Sequence, residues 1–213
     1  MIPAFKAYLF DVDGTLVDSA ADICGAIQGV LASTPQNKVP FDFLKRYIGR
    51  HLIELFQDLF PKYTPEEIDA LVVEYRRIYP LRDHAATTAY PGVASALARL
   101  GGKKSTATTK GTPTTRIVLE RFGLLPYFDH VQGTDGFPAK PNPDVIFKAL
   151  EALGASPEDC LFVGDSPADM EAASRAGVKS CAVTYGYGER AELAQWQPNF
   201  WAADLAQLIP SNP

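Results

Sequence analysis

Short apolar runs, too uniform to alternate, recur along the chain at intervals that leave room for a helix. The first is Ala7-Tyr8-Leu9-Phe10, which stops at Asp11-Val12-Asp13-Gly14. Others lie near Ser105–Thr108 (unusually polar), His130–Gln132, Cys160–Val163 and Ser180–Val183. A strand without a polar face is what a parallel sheet covered on both sides requires. Helix-period segments near 91–100, 113–122, 143–153 and 167–176 fall between these runs. Strand, helix and strand at this spacing predict βαβ units: an α/β fold with a doubly wound, Rossmann-like parallel sheet.

One stretch breaks the alternation. Between about 17 and 83 the pattern is helical only, with helices expected at Ser19–Ala32, Phe41–Tyr47, Leu52–Phe60 and Pro65–Ile78. In the last, Thr64, Pro65 and Glu67 form a capping box ahead of an apolar stripe through Ile68, Leu71, Val72 and Tyr75. The expected organisation is a discontinuous core, 1–16 and 84–213, interrupted by an all-helical domain at 17–83. The chain's 17 prolines fit this punctuation. Thr64-Pro65, Thr112-Pro113, Asn142-Pro143, Ser156-Pro157 and Ser166-Pro167 each set a capping residue before a proline at an expected helix start.

Composition narrows the function classes. A net charge of −5 offers no basic field for a nucleic acid or an anionic membrane surface. Cys24, Cys160 and Cys181 are scattered and unpaired in sequence, which points to a reducing compartment and away from a zinc module. The first residues lack a signal-peptide pattern, and no apolar run approaches the ~18 residues of a spanning helix. A cytoplasmic location is expected.

The strongest chemical signal is Asp11-Val12-Asp13-Gly14-Thr15 at the end of a buried strand. Two carboxylates so placed can converge on one cation, or divide nucleophilic and acid/base roles. A calcium loop starting at Asp11 fails, because its sixth position is Leu16 and its twelfth Asp22. A second cluster, Gly164-Asp165-Ser166-Pro167-Ala168-Asp169, repeats the arrangement after the run Leu161–Val163. Asp169 also suits the third helical position after a Ser166 cap, where an acid favours the helix dipole. Asp165 precedes the cap and has no such local explanation. A serine-hydrolase elbow is excluded, since Ala168 replaces the last glycine and all three histidines lie upstream. Gly186-Tyr187-Gly188-Glu189-Arg190-Ala191 matches a dinucleotide pattern by chance, with too little chain after it for the βαβ unit. Thr108, Thr109 and Lys110 follow one expected strand, and Lys140 precedes an expected helix.

In this order, Asp11–Thr15, Thr108, Lys140 and Gly164–Asp169 resemble the four motifs of the haloacid dehalogenase superfamily, over essentially the whole chain. Phe10–Ser19, Lys140-Pro141-Asn142-Pro143 and Gly164-Asp165-Ser166-Pro167 are similar to the phosphoglycolate phosphatases within it. The resemblance implies a Mg²⁺-dependent phosphatase of a small, 2-phosphoglycolate-like metabolite, with the helical insert as a cap. It implies that Asp11 attacks phosphorus to form an aspartyl-phosphate and that Asp13 acts as acid, then base. Thr108, Thr109 and Gly14 would hold phosphate oxygens, and Lys140 would offset charge on Asp11 and the phosphoryl group. Asp11, the backbone carbonyl of Asp13 and Asp165 would bind Mg²⁺, supported by Asp169. Arg50, in Ile48-Gly49-Arg50-His51, would face the substrate from the cap, with hinges near Leu16–Val17 and Arg82–His84. The implied protein is a monomer or small homo-oligomer acting on a small phosphorylated metabolite. A carboxylate at Asp13 sets the chain apart from dehalogenases and phosphonate hydrolases of the superfamily. A sugar phosphomutase and a non-catalytic phosphate-binding relative are the alternatives.

Overall fold

The apolar run Ala7–Phe10 forms β1, with all four residues buried. The computed structural model describes residues 1–210 and sets this strand inside a five-stranded sheet. The other members are β4 (Lys103–Thr106), β5 (Cys160–Gly164), β6 (Lys179–Val183) and β7 (Phe200–Ala202). Their order is β4-β1-β5-β6-β7, and every pairing is parallel. A separate antiparallel ribbon pairs β2 (Val17–Asp18) with β3 (Thr88–Ala89).

Alternate residues of the same strands feed two different cores, as the two-residue strand period demands. Tyr8, Phe10, Leu161 and Val163 join a cluster with α5 (Val93–Arg99) and α6 (Thr112–Arg121). Ala7, Leu9, Cys160 and Phe162 pack on the opposite side with α7 (Asp144–Leu153) and α8 (Pro167–Ala176). The result is the helix–sheet–helix layering expected from the sequence.

Three departures have physical causes. β4 begins two residues earlier than the expected Ser105, because its lysines keep their charges out of the core. Exposed Lys103 donates from Nζ to the Leu153 carbonyl at 2.6 Å, while Lys104, whose stem is buried, donates from Nζ to the Gly102 carbonyl at 3.1 Å. His130–Gln132 is not a strand but one bridge, Ser105 to His130. Beyond it, Thr106 Oγ1 accepts from the Gln132 N–H and donates to the Gln132 carbonyl, so a side chain replaces the ladder. β7 was not expected; it closes the far edge of the sheet, with Arg190 4.2 Å above the Trp201 ring.

The helical stretch comprises α1 (Ala20–Leu31), α2 (Phe41–Lys45), α3 (Leu52–Leu59) and α4 (Pro65–Ile78). Its residues from Ala20 to Tyr79 form an apolar cluster of their own. Thr64 and Glu67 make the expected capping box on α4, and Ser166 with Asp169 makes another on α8. The other three proline sites differ. Thr112 already lies inside α6 and accepts instead from the Gly133 N–H, while Pro143 rather than Asn142 occupies the cap position of α7. Ser156-Pro157 opens only a short 3₁₀ turn.

Where the chain returns from the helices, buried Asp22 staples it to α1. Its carboxylate accepts from Arg82 Nε at 3.1 Å, the Ala86 N–H at 2.9 Å and Thr87 Oγ1 at 2.7 Å. Asp83 and His84 sit in the left-handed region there, at φ 49° and 50°. Among the described residues, no helix is long and apolar enough to cross a membrane.

Candidate active site

From β1 the chain crosses to β4 on one side and then returns to β5 on the other, so the carboxyl ends of β1 and β5 flank a topological switch point. Open α/β sheets leave their binding crevice there. Asp11, anchored by its N–H to the Val163 carbonyl at 2.9 Å, leaves β1 at this point, and Asp165 leaves β5. Gly14, at φ 89°, lies against the Asp165 carboxylate; a Cβ there would overlap the Asp165 Cγ at 2.7 Å. Gly186 and Gly188 are needed for the same reason. A Cβ on either would collide with Asp165 backbone or side-chain atoms, and that on Gly186 would also sit 2.5 Å from the Gly14 carbonyl. The repeated glycines of that segment thus serve the acid, not a dinucleotide.

Asp11, Asp165 and Asp169 are all buried, and each offers an oxygen within 4.8 Å of the others. One ammonium serves the group. Lys140 Nζ donates to Asp11 Oδ1 at 2.8 Å, Asp169 Oδ1 at 2.5 Å and the Ala107 carbonyl at 3.0 Å. Asp169 Oδ2 accepts from the Asp165 and Ser166 N–H groups and from Ser166 Oγ, so one side chain both caps α8 and holds Lys140. Asp165 accepts from Thr15 Oγ1 at 2.9 Å and from the Tyr187 N–H at 2.8 Å.

Burial in this company is costly. Desolvation raises Asp11 to about 6; Lys140 opposes the rise, and Asp169 and Asp13 add to it. Desolvation likewise pushes Asp165 well above the usual carboxylate range, reinforced by Asp169 and Asp11. For Lys140, burial alone would weaken the charged form, yet Asp11 and Asp169 outweigh it and the pKa rises. Asp11 thus rises chiefly because burial disfavours its charge, while Lys140 rises because two carboxylates, Asp11 and Asp169, surround one ammonium. The excess negative charge and the all-oxygen donor set fit a hard divalent cation such as Mg²⁺. Cys24, Cys160 and Cys181 are free and buried, with desolvation raising each thiol to about 12, so none is an activated nucleophile.

Asp13 points elsewhere. Its Oδ1 accepts from Ser19 Oγ at 2.5 Å, and its Oδ2 lies 3.1 Å from Lys110 Nζ. Lys110 also donates to Tyr79 Oη at 3.0 Å and lies 4.6 Å from the centre of that ring. Desolvation opposes the charge on Lys110, but Asp13, Tyr79 and Tyr75 together raise its pKa. This link from the sheet to the helical stretch escaped the sequence. Lys110 closes Ala107-Thr108-Thr109-Lys110, but its partner Tyr79 is 31 residues earlier and nothing in the pattern joins them.

Above Asp13 lies a cleft of about 710 Å³ between the sheet and the helices. Asp13, Thr109, Lys110 and Arg50 line it, whereas Asp11, Thr108, Lys140 and Asp165 are buried outside its wall. The Thr108 carbonyl accepts from Thr134 Oγ1 at 2.9 Å. The Arg50 guanidinium lies 5.5 Å from the centre of the Tyr47 ring. Gly49, at φ 92°, presses the same loop onto the core; a Cβ there would sit 2.9 Å from Ser166 Cβ. Tyr187, which holds Asp165 through its N–H, also reaches the entrance to α1. Its hydroxyl accepts from the Ser19 N–H at 2.7 Å and donates to Asp18 Oδ1 at 2.9 Å.

The chain as a whole is similar to known proteins. Residues 8–183 match the family of haloacid dehalogenase-like hydrolases. The chain belongs to that family. Phosphoglycolate phosphatase 1 of Pseudomonas aeruginosa is 32% identical over 96% of this chain and 79% of its own length. The phosphoglycolate phosphatase of Aquifex aeolicus is 34% identical, covering 96% of this chain and 95% of its own. Among solved structures, a haloacid dehalogenase-like hydrolase from Bacteroides fragilis superposes with a TM-score of 0.91 at 29% identity, covering 96% of this chain and all of the other. A haloacid dehalogenase-like family hydrolase from Streptococcus pneumoniae gives 0.87 at 27% identity, covering 96% of each chain.

Proposed function

We propose that this family member is a Mg²⁺-dependent phosphatase of small phosphorylated metabolites, acting on 2-phosphoglycolate or a related monoester. The observation that carries the reading is Asp11 at the switch point, held through one oxygen by Lys140 beside Asp165 and Asp169. Since Lys140 occupies Oδ1, Asp11 Oδ2 is the oxygen left to attack. The Oδ2–phosphorus bond forms as the ester P–O bond breaks, and Asp13 delivers a proton to the departing alcohol. Water then attacks phosphorus, Asp13 takes its proton, and the bond to Asp11 breaks. Thr108, Thr109 and Gly14 bind and orient the phosphoryl oxygens, while Lys110 and Ser19 hold Asp13 in place.

Asp11, Asp165 and the Asp13 carbonyl are the proposed Mg²⁺ ligands, with Asp169 behind them. When bound, the cation offsets the charge of the phosphate that an anionic nucleophile must approach. The helical residues 17–83 act as a cap on a core of 1–16 and 84–213, Arg50 facing the substrate. Leu16–Val17 and Arg82–His84 are the proposed hinges. Closure excludes water, and opening gives substrate a way to buried Asp11. Three free thiols suit a reducing, cytoplasmic setting.

Hydrolysis of p-nitrophenyl phosphate, followed with and without chelator, tests the mechanism. Chelation should abolish turnover, and Asp11→Asn should lower kcat by roughly 10³ or more. Activity surviving either change defeats it. Assaying free phosphate from sugar phosphates separates hydrolysis from a mutase, which would return isomers instead.

A further inference from the structure

The sheet ends form the floor of the cleft, and α1, α3 and α4 roof it. Asp13 stands on that floor, yet both of its carboxylate oxygens are held by groups tied to the roof. Oδ1 accepts from Ser19 Oγ at 2.5 Å, one residue before α1 begins. Oδ2 meets Lys110 Nζ at 3.1 Å, and the same ammonium donates to Tyr79 Oη at 3.0 Å, where α4 ends.

A lysine carries its ammonium on a flexible four-carbon stem, so a single partner does not fix where the charge sits. The main chain of Lys110 is braced by the core. Its carbonyl accepts from the Thr134 N–H at 3.0 Å, and a Cβ on Gly133 would collide with the same oxygen. The ammonium is braced by buried Tyr79, whose ring centre lies 4.6 Å away. That ring stacks on Tyr75 at 5.4 Å between centres and meets His84 edge-on at 5.4 Å. A phenol held on two sides offers its oxygen at a fixed point.

We propose that Tyr79 is a positioning residue for the acid/base step. Its hydroxyl fixes the Lys110 ammonium, and the ammonium holds Asp13 in the orientation from which it protonates the departing alcohol. This rests on the phosphatase reading, in which the ester P–O bond breaks as Asp13 gives up its proton. Tyr79 itself touches no reacting atom. The consequence is a dependence on the leaving group. An alkoxide needs a proton as it departs, and a well-placed general acid is worth roughly 10²–10⁴-fold. p-Nitrophenolate leaves as the anion and needs none. A slackened Asp13 penalises alkyl esters in the first half of the reaction and spares the aryl ester. In the second half, where Asp13 takes the proton of water, both are slowed.

Tyr79→Phe keeps the ring and removes only the oxygen. With Mg²⁺ present, its kcat/KM for 2-phosphoglycolate and for ethyl phosphate should fall by about ten- to a hundredfold, through kcat rather than KM. For p-nitrophenyl phosphate, kcat/KM should stay within about threefold. Rapid mixing with that ester should release about one equivalent of p-nitrophenolate before a slower steady state. Lys110→Met should reproduce the pattern, and the double variant should be no worse than Lys110→Met alone, because Tyr79 acts through Lys110. Urea unfolding in chelator reads the same contact without turnover: the midpoint shift of the double variant should be smaller than the two single shifts together.

Equal losses on alkyl and aryl esters, or a raised KM with kcat unchanged, make Tyr79 a packing or substrate-contact residue and overturn the proposal. Additive variants overturn it too, as does a wild type that takes only the aryl ester, since no acid is then at work. All of these leave the phosphatase reading intact. A wild type that hydrolyses none of the three esters removes that reading and the proposal with it.

Discussion

At the strand ends, polar atoms are densely committed. Lys140 donates to two carboxylates and a carbonyl, Asp169 accepts on both oxygens, and Asp165 is fixed by a hydroxyl and a backbone N–H. The roof is made differently: branched aliphatic and aromatic side chains on α1, α3 and α4 pack into a cluster of their own. Its polar rim is loosely held, with Arg50 resting on the Tyr47 ring. Hydrogen-bonded charges demand fixed geometry and tolerate little change, whereas apolar packing accepts volume-conserving exchange. The hydrogen-bonded acids at the strand ends are therefore the fixed part of the molecule, and the helical cluster the part more open to exchange.

The sharpest way to break that contrast is Lys140→Met. It strips buried Asp11 and Asp169 of the ammonium they share, and loss of one partner from a buried pair costs about 3–5 kcal/mol. Urea unfolding at pH 8 in chelator should show that loss; an unchanged midpoint would mean the floor is no more committed than the roof.

The pH dependence of stability comes next in size. A folded Asp11 near 6, against an ordinary 3.8, keeps its proton in that window while the unfolded chain releases it. Metal-free stability should therefore fall as pH rises through the window, by on the order of 2–3 kcal/mol from this group. Asp11→Asn removes that contribution, so its urea midpoint should drop less than the wild type's between pH 4 and pH 7. Parallel behaviour of the two proteins would refute the assignment.

Gly186→Ala places a methyl against Asp165 and should weaken Mg²⁺ binding by about tenfold or more, measured by calorimetry. Smallest is Thr64→Ala, which removes the capping box of α4. It should cost ~1 kcal/mol of stability and leave Mg²⁺ affinity unchanged. A matching loss of affinity would show that the two regions are not separable.

What the sequence disclosed follows the same division. β1 and β5 are apolar runs ending in acids, so their place and the carboxylates beyond them could be read directly. The capping boxes at Thr64 and Ser166 were legible because both partners lie within one turn. β4 was misplaced because Lys103 and Lys104 look like surface residues until their ammonium groups are seen on the Leu153 and Gly102 carbonyls. Lys110, Tyr79 and Asp13 meet only through the tertiary fold, and a lysine in a loop carries no local mark of its partners. The size of the cleft was invisible too, since it depends on where the helices sit over the sheet.

Tyr187 joins the two regions in a way neither shows alone. Its backbone grips Asp165, and its hydroxyl grips the peptide where the chain departs for α1. A phenol ring is a stiff rod, with only two torsions between main chain and oxygen. One side chain thus ties an acid of the strand-end cluster to the start of α1, so a change at Tyr187 is felt at both places.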